Sequence, residues 1–485
     1  MIQIFSKLLS DDAIDTSPEW VKYNVTEYQT GEIQGILKPK TSEEVRAIVK
    51  LAADENISLY PFSSGKNWGQ GSKLPVKTPA ILVDLSGLKK IHVDQAYEFA
   101  IIEAGVTQGE LASHLIDQNI PLKFPVTGSA KATSITGNML ERGVSAFFHR
   151  RTRLLGIEAV LSNGQLLRTG HWHSHQLENQ PIFYAPGLGP DLTQAFCQSN
   201  FGIVTSIAIK LIPKDHGTLV FAETSEHHLK KVVDLLATLK KQHLIGEGVL
   251  VTNKNDPRTA KKKAYNYSGQ WSIVTSFQGV EEVRAIIRTK VEDALKVFCQ
   301  SISFVDSHST CHLEHPYQTI LRDLYNGVPS DYSLLTMAQL HDMTIASDEE
   351  VDQNSGFPGM SVALMAVAFK GEQVWKTIRA VRKVSETFNL HAFYNFATLD
   401  DHTFEGFFRV YFDRNSSEVT HQAHLWSKEV HKTLKAIGVF PYRLNLQEMQ
   451  NNAFNKEDTF WQTIGQLKKT LDPQNILAHG RYAPH

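Results

Sequence analysis

The chain has 485 residues, too many for one compact core, and roughly two to four domains are expected at this length. A net charge of −2 supplies no basic field for nucleic acid or an anionic membrane, and a 42% hydrophobic content is enough for sizeable cores rather than disorder. Three cysteines (Cys197, Cys299 and Cys311) lack metal-ligand spacing and are too few and too uneven for a secreted disulfide framework.

Residues 1–10 carry a short apolar patch that Asp11 and Asp12 end early, shorter than a secretory leader. No stretch approaches the ~18 apolar residues of a membrane helix. A soluble cytoplasmic protein is expected. Trp20 and Tyr23 are aromatic anchors in an otherwise polar start. Residues 33–37 alternate as a strand. Thr41-Ser42-Glu43-Glu44 then opens a helix, with a hydroxyl to cap the first amides and acids at the positive end of the dipole. Val45, Ile48, Val49 and Ala52 give it an apolar face.

A strand at 57–60 leads into the glycine-rich loop 61–71, Pro-Phe-Ser-Ser-Gly-Lys-Asn-Trp-Gly-Gln-Gly. Such a loop can turn its amides inward as an anion nest, with Ser63, Ser64 and Asn67 adding donors and Lys66 a charge. The same residues also make an ordinary surface turn. Strands follow at 80–84 and 99–102, and a helix at 109–116. A second loop, 125–143, is rich in hydroxyls and glycines and ends at Glu141 and Arg142. Asn163-Gly164 between two apolar runs signals a hairpin. A strand runs from Ile203 to Leu211.

From about residue 216 strands and amphipathic helices alternate. Helices are expected at 226–242, 280–296, 372–387 and 417–436, and strands at 247–252, 272–277, 361–368, 392–397 and 405–412. Two similar α+β units sharing an antiparallel sheet account for this pattern. Between them, 303–358 reads as irregular and rich in His and Asp, a candidate lid or pocket wall. His308, Cys311, His312 and His315 fit no standard metal spacing, and no metal site is expected.

Ser64 to Gly71, Gly137 to Val144, the hairpin 156–164, Ser199 to Thr205, Tyr411 to Asn415, Tyr442-Arg443 and the ending Leu471 to Leu477 with Gly480-Arg481 occur in an order that resembles the FAD-dependent vanillyl-alcohol oxidase / p-cresol methylhydroxylase family, the PCMH-type FAD-binding flavoproteins. The resemblance covers about residues 30–482. It implies an α+β fold of two domains: an FAD-binding domain at 1–215, an α+β cap with a large antiparallel sheet at 216–437, and a segment at 438–485 returning to the FAD domain. It implies FAD as cofactor and hydride transfer from a small alcohol, phenol or amine-like substrate to flavin N5. Oxygen or a redox partner would accept the electrons. Oxidative cyclisation or desaturation, and a non-catalytic flavin-binding subunit, are the alternatives. A homodimer is the oligomeric form it suggests.

By the same resemblance, Ser63, Ser64, Gly65, Lys66 and Asn67 hold the pyrophosphate. Thr127, Gly128, Ser134, Gly137 and Asn138 follow the ribityl and ring, and Ile203 and Val204 face the adenine. Gln70 stands where phenol-oxidising relatives carry a second tyrosine, which puts a para-substituted phenol in doubt. Glu141 is a candidate base or redox-tuning acid, or else a helix-end acid paired with Arg142. Tyr442 and Arg443 match a phenolate-binding pair, or else a core tyrosine and a structural arginine. Arg481 either neutralises reduced flavin or substrate, or is a plain surface arginine. A tether to FAD would fall near Asp352, Gln353 and Asn354, with His149 or a histidine of 308–315 as outside candidates. Non-covalent FAD is expected.

Overall fold

The computed structural model of the protein describes residues 2–17, 24–174, 181–256, 258, 269–309, 313, 315–340, 351, 356–451, 454–455 and 457–483. Trp20, Tyr23, Cys311, His312, Asp352, Gln353 and Asn354 lie outside the described residues.

The N-terminal half holds two sheets. The first has β1 (Ile14–Asp15), β2 (Ile33–Leu37), β3 (Leu59–Phe62) and β4 (Ala80–Asp84) in the order β1-β2-β4-β3, with the last three parallel. Helix α1 (Ser42–Asp54) connects β2 to β3. It starts where the hydroxyl of Thr41 accepts from the Glu44 amide at 3.1 Å, and it buries Val45, Ile48, Val49 and Ala52. The second sheet takes β5 (Ile91–Asp94), β6 (Phe99–Glu103), β8 (Leu154–Val160), β9 (Leu166–Arg168) and β10 (Ile203–Lys210) in the antiparallel order β5-β6-β10-β8-β9. A short ribbon joins β7 (Leu122–Lys123) to β11 (Ile212–Pro213). Helices α2 (Gln108–Asp117) and α3 (Ile135–Leu140) belong to this half.

The second half is one eight-stranded antiparallel sheet. Its strands are β12 (Gly217–Ser225), β13 (Val249–Asn253), β14 (Gln270–Gln278), β15 (Cys299–Asp306), β16 (Gly359–Ala368), β17 (Ala392–Thr398), β18 (Thr403–Phe412) and β19 (Phe440–Arg443). The order β15-β12-β14-β13-β17-β18-β16-β19 is two βαββαβ units meeting at β13 and β17. The first unit carries α4 (Leu229–Lys241) and α5 (Glu281–Leu295). The second carries α8 (Gly371–Thr387) and α9 (Ser417–Lys435). Two similar units are what the alternating pattern predicts.

Strand alternation decides what faces what. On β12, Val220 and Ala222 join the core under the helices, whereas Leu219 and Phe221 join the core shared with the N-terminal half. On β18, Phe404, Phe408, Val410 and Phe412 face the helices. Glu405, Phe407, Arg409 and Tyr411 are left on the opposite face.

The segment 303–358 is more ordered than its composition suggests. It contains the end of β15, then α6 (Pro316–Tyr325) and α7 (Tyr332–Leu340). Pro316 opens α6 at a position that needs no amide donor, and the His315 ring accepts from the Tyr317 amide at 3.1 Å. The buried stripe Leu321, Leu324 and Tyr325 then docks on the N-terminal half, where the Lys123 ammonium sits 3.9 Å from the Tyr325 ring centroid.

The C-terminal segment divides. Phe440–Arg443 stays with the large sheet, pairing Arg443 with Leu364 of β16. Beyond α10 (Leu446–Gln450) and α11 (Thr459–Leu471), the chain runs back along β3. There the Leu59 amide donates to Ile476 and the Ala478 amide to Leu59, both at 2.7 Å. Asp472, fully enclosed, holds that return by accepting from the Lys468 ammonium and the amides of Ile476 and Leu477.

Candidate functional site

Strand β3 delivers the chain into the glycine-rich loop. Its turn closes where the amides of Gln70 and Ser72 both donate to the Asn67 carbonyl at 3.1 Å. Gly69 has φ +76°, and a Cβ there would lie 2.3 Å from Val362 Cγ2, so the loop rests directly on β16. Gly69→Ala is therefore expected to cost about 1–3 kcal/mol of stability through strain and overpacking, read as a lower thermal midpoint.

The second loop lies against the first. The Ser134 hydroxyl caps α3 by accepting from the Gly137 amide at 3.0 Å and donates to the Ala104 carbonyl at 2.8 Å. The Ser134 amide in turn donates to Ser64 Oγ at 3.1 Å. A Cβ on Gly137 would come 2.5 Å from Ser63 Oγ, so any larger residue there would push the Ser63 hydroxyl aside. Between them runs a cleft of about 1070 Å³. Ser63, Ser64, Gly65, Lys66 and Asn67 form one wall, and Ser134, Gly137 and Asn138 another. Val204 lines it, whereas Ile203 is enclosed within β10 opposite Val160.

A half-buried charge cluster closes one end of the cleft. Both guanidiniums of Arg443 and Arg481 meet the Glu141 carboxylate, Arg443 at 3.2 Å, and the Tyr482 hydroxyl donates to it at 3.0 Å. Arg481 also donates to the Tyr60 hydroxyl at 2.7 Å, and Arg443 donates to Asn67 Oδ1. Burial alone would raise the Glu141 carboxyl, but Arg481 and Arg443 outweigh it and hold the group below the usual glutamate range. The partners of Glu141 are thus these two arginines rather than its neighbour Arg142.

A second cavity of about 1360 Å³ opens beneath the large sheet and shares Lys66, Asn67, Thr133, Asn138 and Arg443 with the first. Thr127 and Gly128 line this cavity, not the cleft. So does Gln70, whose amide donates to the Gly69 carbonyl at 3.1 Å. The large sheet contributes Leu364, Asn395, Glu405, Phe407, Arg409 and Tyr411, and α6 and α7 contribute Tyr317, Leu321, Leu324, Leu334 and Met337. The Tyr442 ring packs beside this cavity. Its hydroxyl donates to Glu405, and its carbonyl accepts from Gln198 Nε2 at 2.8 Å. Burial raises the Glu405 carboxyl above the usual range despite the Tyr442 hydrogen bond and the charges of Arg443 and Arg258.

Sequence reasoning missed Glu405, Arg409, Arg258 and Asp256. The signal was available for two of them: in Thr403–Phe412, charged residues occupy the face that alternates with Phe404, Phe408, Val410 and Phe412. A charge on an inward face of a central strand points to a cavity.

Among the described residues no histidine lines either cavity. His149 lies in a smaller neighbouring hollow, where its amide donates to Glu247. His308 instead meets His216 at 3.0 Å near Asp306, and the ligand atoms of these three come within 4.8 Å of one another at the surface, away from both cavities.

The cleft suits a dinucleotide. Thr133 Oγ1, Thr136 Oγ1, Asn138 Oδ1, Ser199 Oγ and Asn200 Oδ1 are buried on its walls with no hydrogen-bond partner among the described residues. Such atoms are costly unless a ligand satisfies them.

Comparison with known proteins agrees with this geometry. The FAD binding domain family matches residues 33–170. The chain is 28% identical to 1'-carboxy-chondrochloren decarboxylase of Chondromyces crocatus over 93% of this chain and 91% of that protein. It is 24% identical to the 4-cresol dehydrogenase [hydroxylating] flavoprotein subunit of Pseudomonas putida over 99% and 94%. Its fold matches p-cresol methylhydroxylase with substrate bound at a TM-score of 0.87 and 22% identity, covering 99% of this chain and 96% of that one. It also matches the isoeugenol complex of 4-ethylphenol oxidase from Gulosibacter chungangensis at 0.86 and 19%, with the same coverage. The protein is therefore an FAD-dependent flavoprotein oxidoreductase. Residues 33–170 match an FAD binding domain, and the α+β fold is that of p-cresol methylhydroxylase.

Proposed function

We propose that this flavoprotein oxidises a small organic substrate (an alcohol, phenol or amine) in the manner of vanillyl-alcohol oxidase, with the reaction placed where the two cavities share Asn67, Asn138 and Arg443. When bound, FAD supplies an acceptor for the hydride and passes the electrons to oxygen or another acceptor. The division into an FAD-binding part at 1–215 and 438–485 and a cap at 216–437 is part of this proposal, with β19 completing the cap sheet.

The observation that carries it is the Glu405–Tyr442–Arg443 group. Hydride loss from an alcohol or phenol needs a proton removed from oxygen. Glu405 is half-buried, lines the cavity and has its carboxyl raised above the usual glutamate range, and the Tyr442 hydroxyl can relay to it. Arg443 would steady the resulting oxyanion. Glu141, held by two arginines, is a fixed anion rather than a base. With Arg481 it balances charge beside the cofactor. Ser63 to Asn67, Ser134, Gly137 and Asn138 would hold FAD, without a covalent tether, and a cytoplasmic location is part of the same reading.

Acid precipitation of the yellow protein should leave the flavin in the supernatant. Anaerobic mixing with aryl alcohols, alkylphenols and benzylic amines should bleach it. A holoprotein that none of these bleaches would sink the reading. Loss of CO2 coupled to oxidation is a second reading, favoured by the likeness to a decarboxylase. Release of CO2 from a bleaching substrate would select it.

A further inference from the structure

We infer that the second cavity contains a carboxylate clamp, and that the substrate of this enzyme carries a carboxylate. This rests on the oxidoreductase reading and adds the substrate class.

Asp256 lies fully enclosed behind the cavity wall. Arg258 grips it with two donors at 2.8 and 2.9 Å, and Arg409 Nη2 donates to the same carboxylate. Among the described residues two guanidiniums share this one carboxylate, leaving a positive charge at the cavity wall, and Glu405 is the one carboxylate that lines it.

Arg409 points to the ligand. Its side chain is 3% exposed, and its Nε donates to the Tyr411 hydroxyl at 2.8 Å. Its Nη1 has no partner among the described residues, although Arg409 lines the cavity. An arginine N–H buried without an acceptor is expensive, and a charged one more so. Phe407, with its ring centroid 4.9 Å from the guanidinium, fixes the plane of the group without satisfying the N–H. A carboxylate oxygen would complete the set with a charge-assisted hydrogen bond, and the planar fork suits that geometry.

The clamp also sets the substrate's orientation. Glu405, Phe407 and Arg409 occupy successive same-face positions on β18, so Glu405 and Arg409 lie about 13 Å apart along the strand at ~3.3 Å per residue. A substrate bridging them would present its reacting carbon near Glu405 and Arg443, with Phe407 beside its middle and its acid at Arg409.

The test uses the FAD-loaded protein and reads ligand binding as a shift of the flavin band without bleaching. The probes are benzoate, phenylacetate and 3-phenylpropanoate, each against its neutral primary amide. At least one acid should bind about tenfold or more tightly than its amide, and Arg409→Gln should remove most of that preference while FAD content and amide binding stay as they were. Arg409→Lys should keep part of it. Equal binding of every acid and its amide by the wild type overturns the clamp, and that comparison needs no variant to fold. An acid preference that survives Arg409→Gln overturns it too. Bleaching is read separately: amides or neutral alcohols that bleach the flavin with no acid preference leave the oxidoreductase reading standing and remove only the clamp.

Discussion

Glu405→Gln should lower turnover by about 10²- to 10⁴-fold, the usual worth of a positioned general base. Glutamine keeps the size of the side chain and can still accept from the Tyr442 hydroxyl, so the packing around Leu364 and Phe407 should survive and FAD should stay bound. What is lost is the ability to take a proton. The pH profile separates this from a structural effect. Burial holds the Glu405 carboxyl above the ordinary glutamate value of 4.5, and the group must be ionised to act. Wild-type kcat/KM should therefore rise with pH through a limb above 4.5, and the variant should lack that limb. A variant with wild-type turnover and an unchanged limb would remove Glu405 from the mechanism.

The second large effect concerns stability. Glu141→Ala leaves Arg443 and Arg481, whose side chains are 12% and 17% exposed, without their shared counter-charge. A cost approaching that of breaking a fully buried pair from one side, about 3–5 kcal/mol, is expected. The sign with pH follows from the lowered carboxyl. Its contribution is fully present above the unfolded value of 4.5 and is lost as pH falls through the lower folded value. The gap between wild type and variant in denaturant midpoint should be widest near neutral pH and should close in acid. A gap that is small at neutral pH, or that widens in acid, would mean the arginines are balanced by other groups.

Much of the fold was legible because its elements are locally consistent. Thr41 with Glu43 and Glu44 marks the start of α1, Asn163-Gly164 marks the hairpin between β8 and β9, and the repeated strand–helix pattern of the second half shows in 3.6- and 2-residue periods. The misses were elements whose ordering comes from tertiary contact. Strand β15 is an edge strand with a half-exposed pattern, so its alternation is weak. Helix α6 hides in a polar, His-rich stretch and is held by a narrow buried stripe.

The cleft was legible from glycine and hydroxyl loops. A loop that must approach a phosphate needs those residue types, and the sequence displays them. The second cavity was legible only in part. The stretch 303–358 reads as a candidate pocket wall, and its helices α6 and α7 do line the cavity. The other walls come from β18 and both loops, separated by up to hundreds of residues, and Asp256, Arg258 and Arg409 become a cluster only when β13, β17 and β18 align. The charges on the inward face of β18 were the local trace of that cluster.

Hydride transfer to the flavin is tested by single-turnover anaerobic reduction of the FAD-loaded protein by a bleaching substrate, protonated or deuterated at its reacting carbon. Hydride transfer at the junction of the two cavities predicts loss of the flavin's visible band, several-fold slower with deuterium, and slower again in Glu405→Gln. Reduction at equal rates with either isotope, or no reduction of a folded and FAD-loaded protein by any alcohol, phenol or amine in the panel, would contradict it.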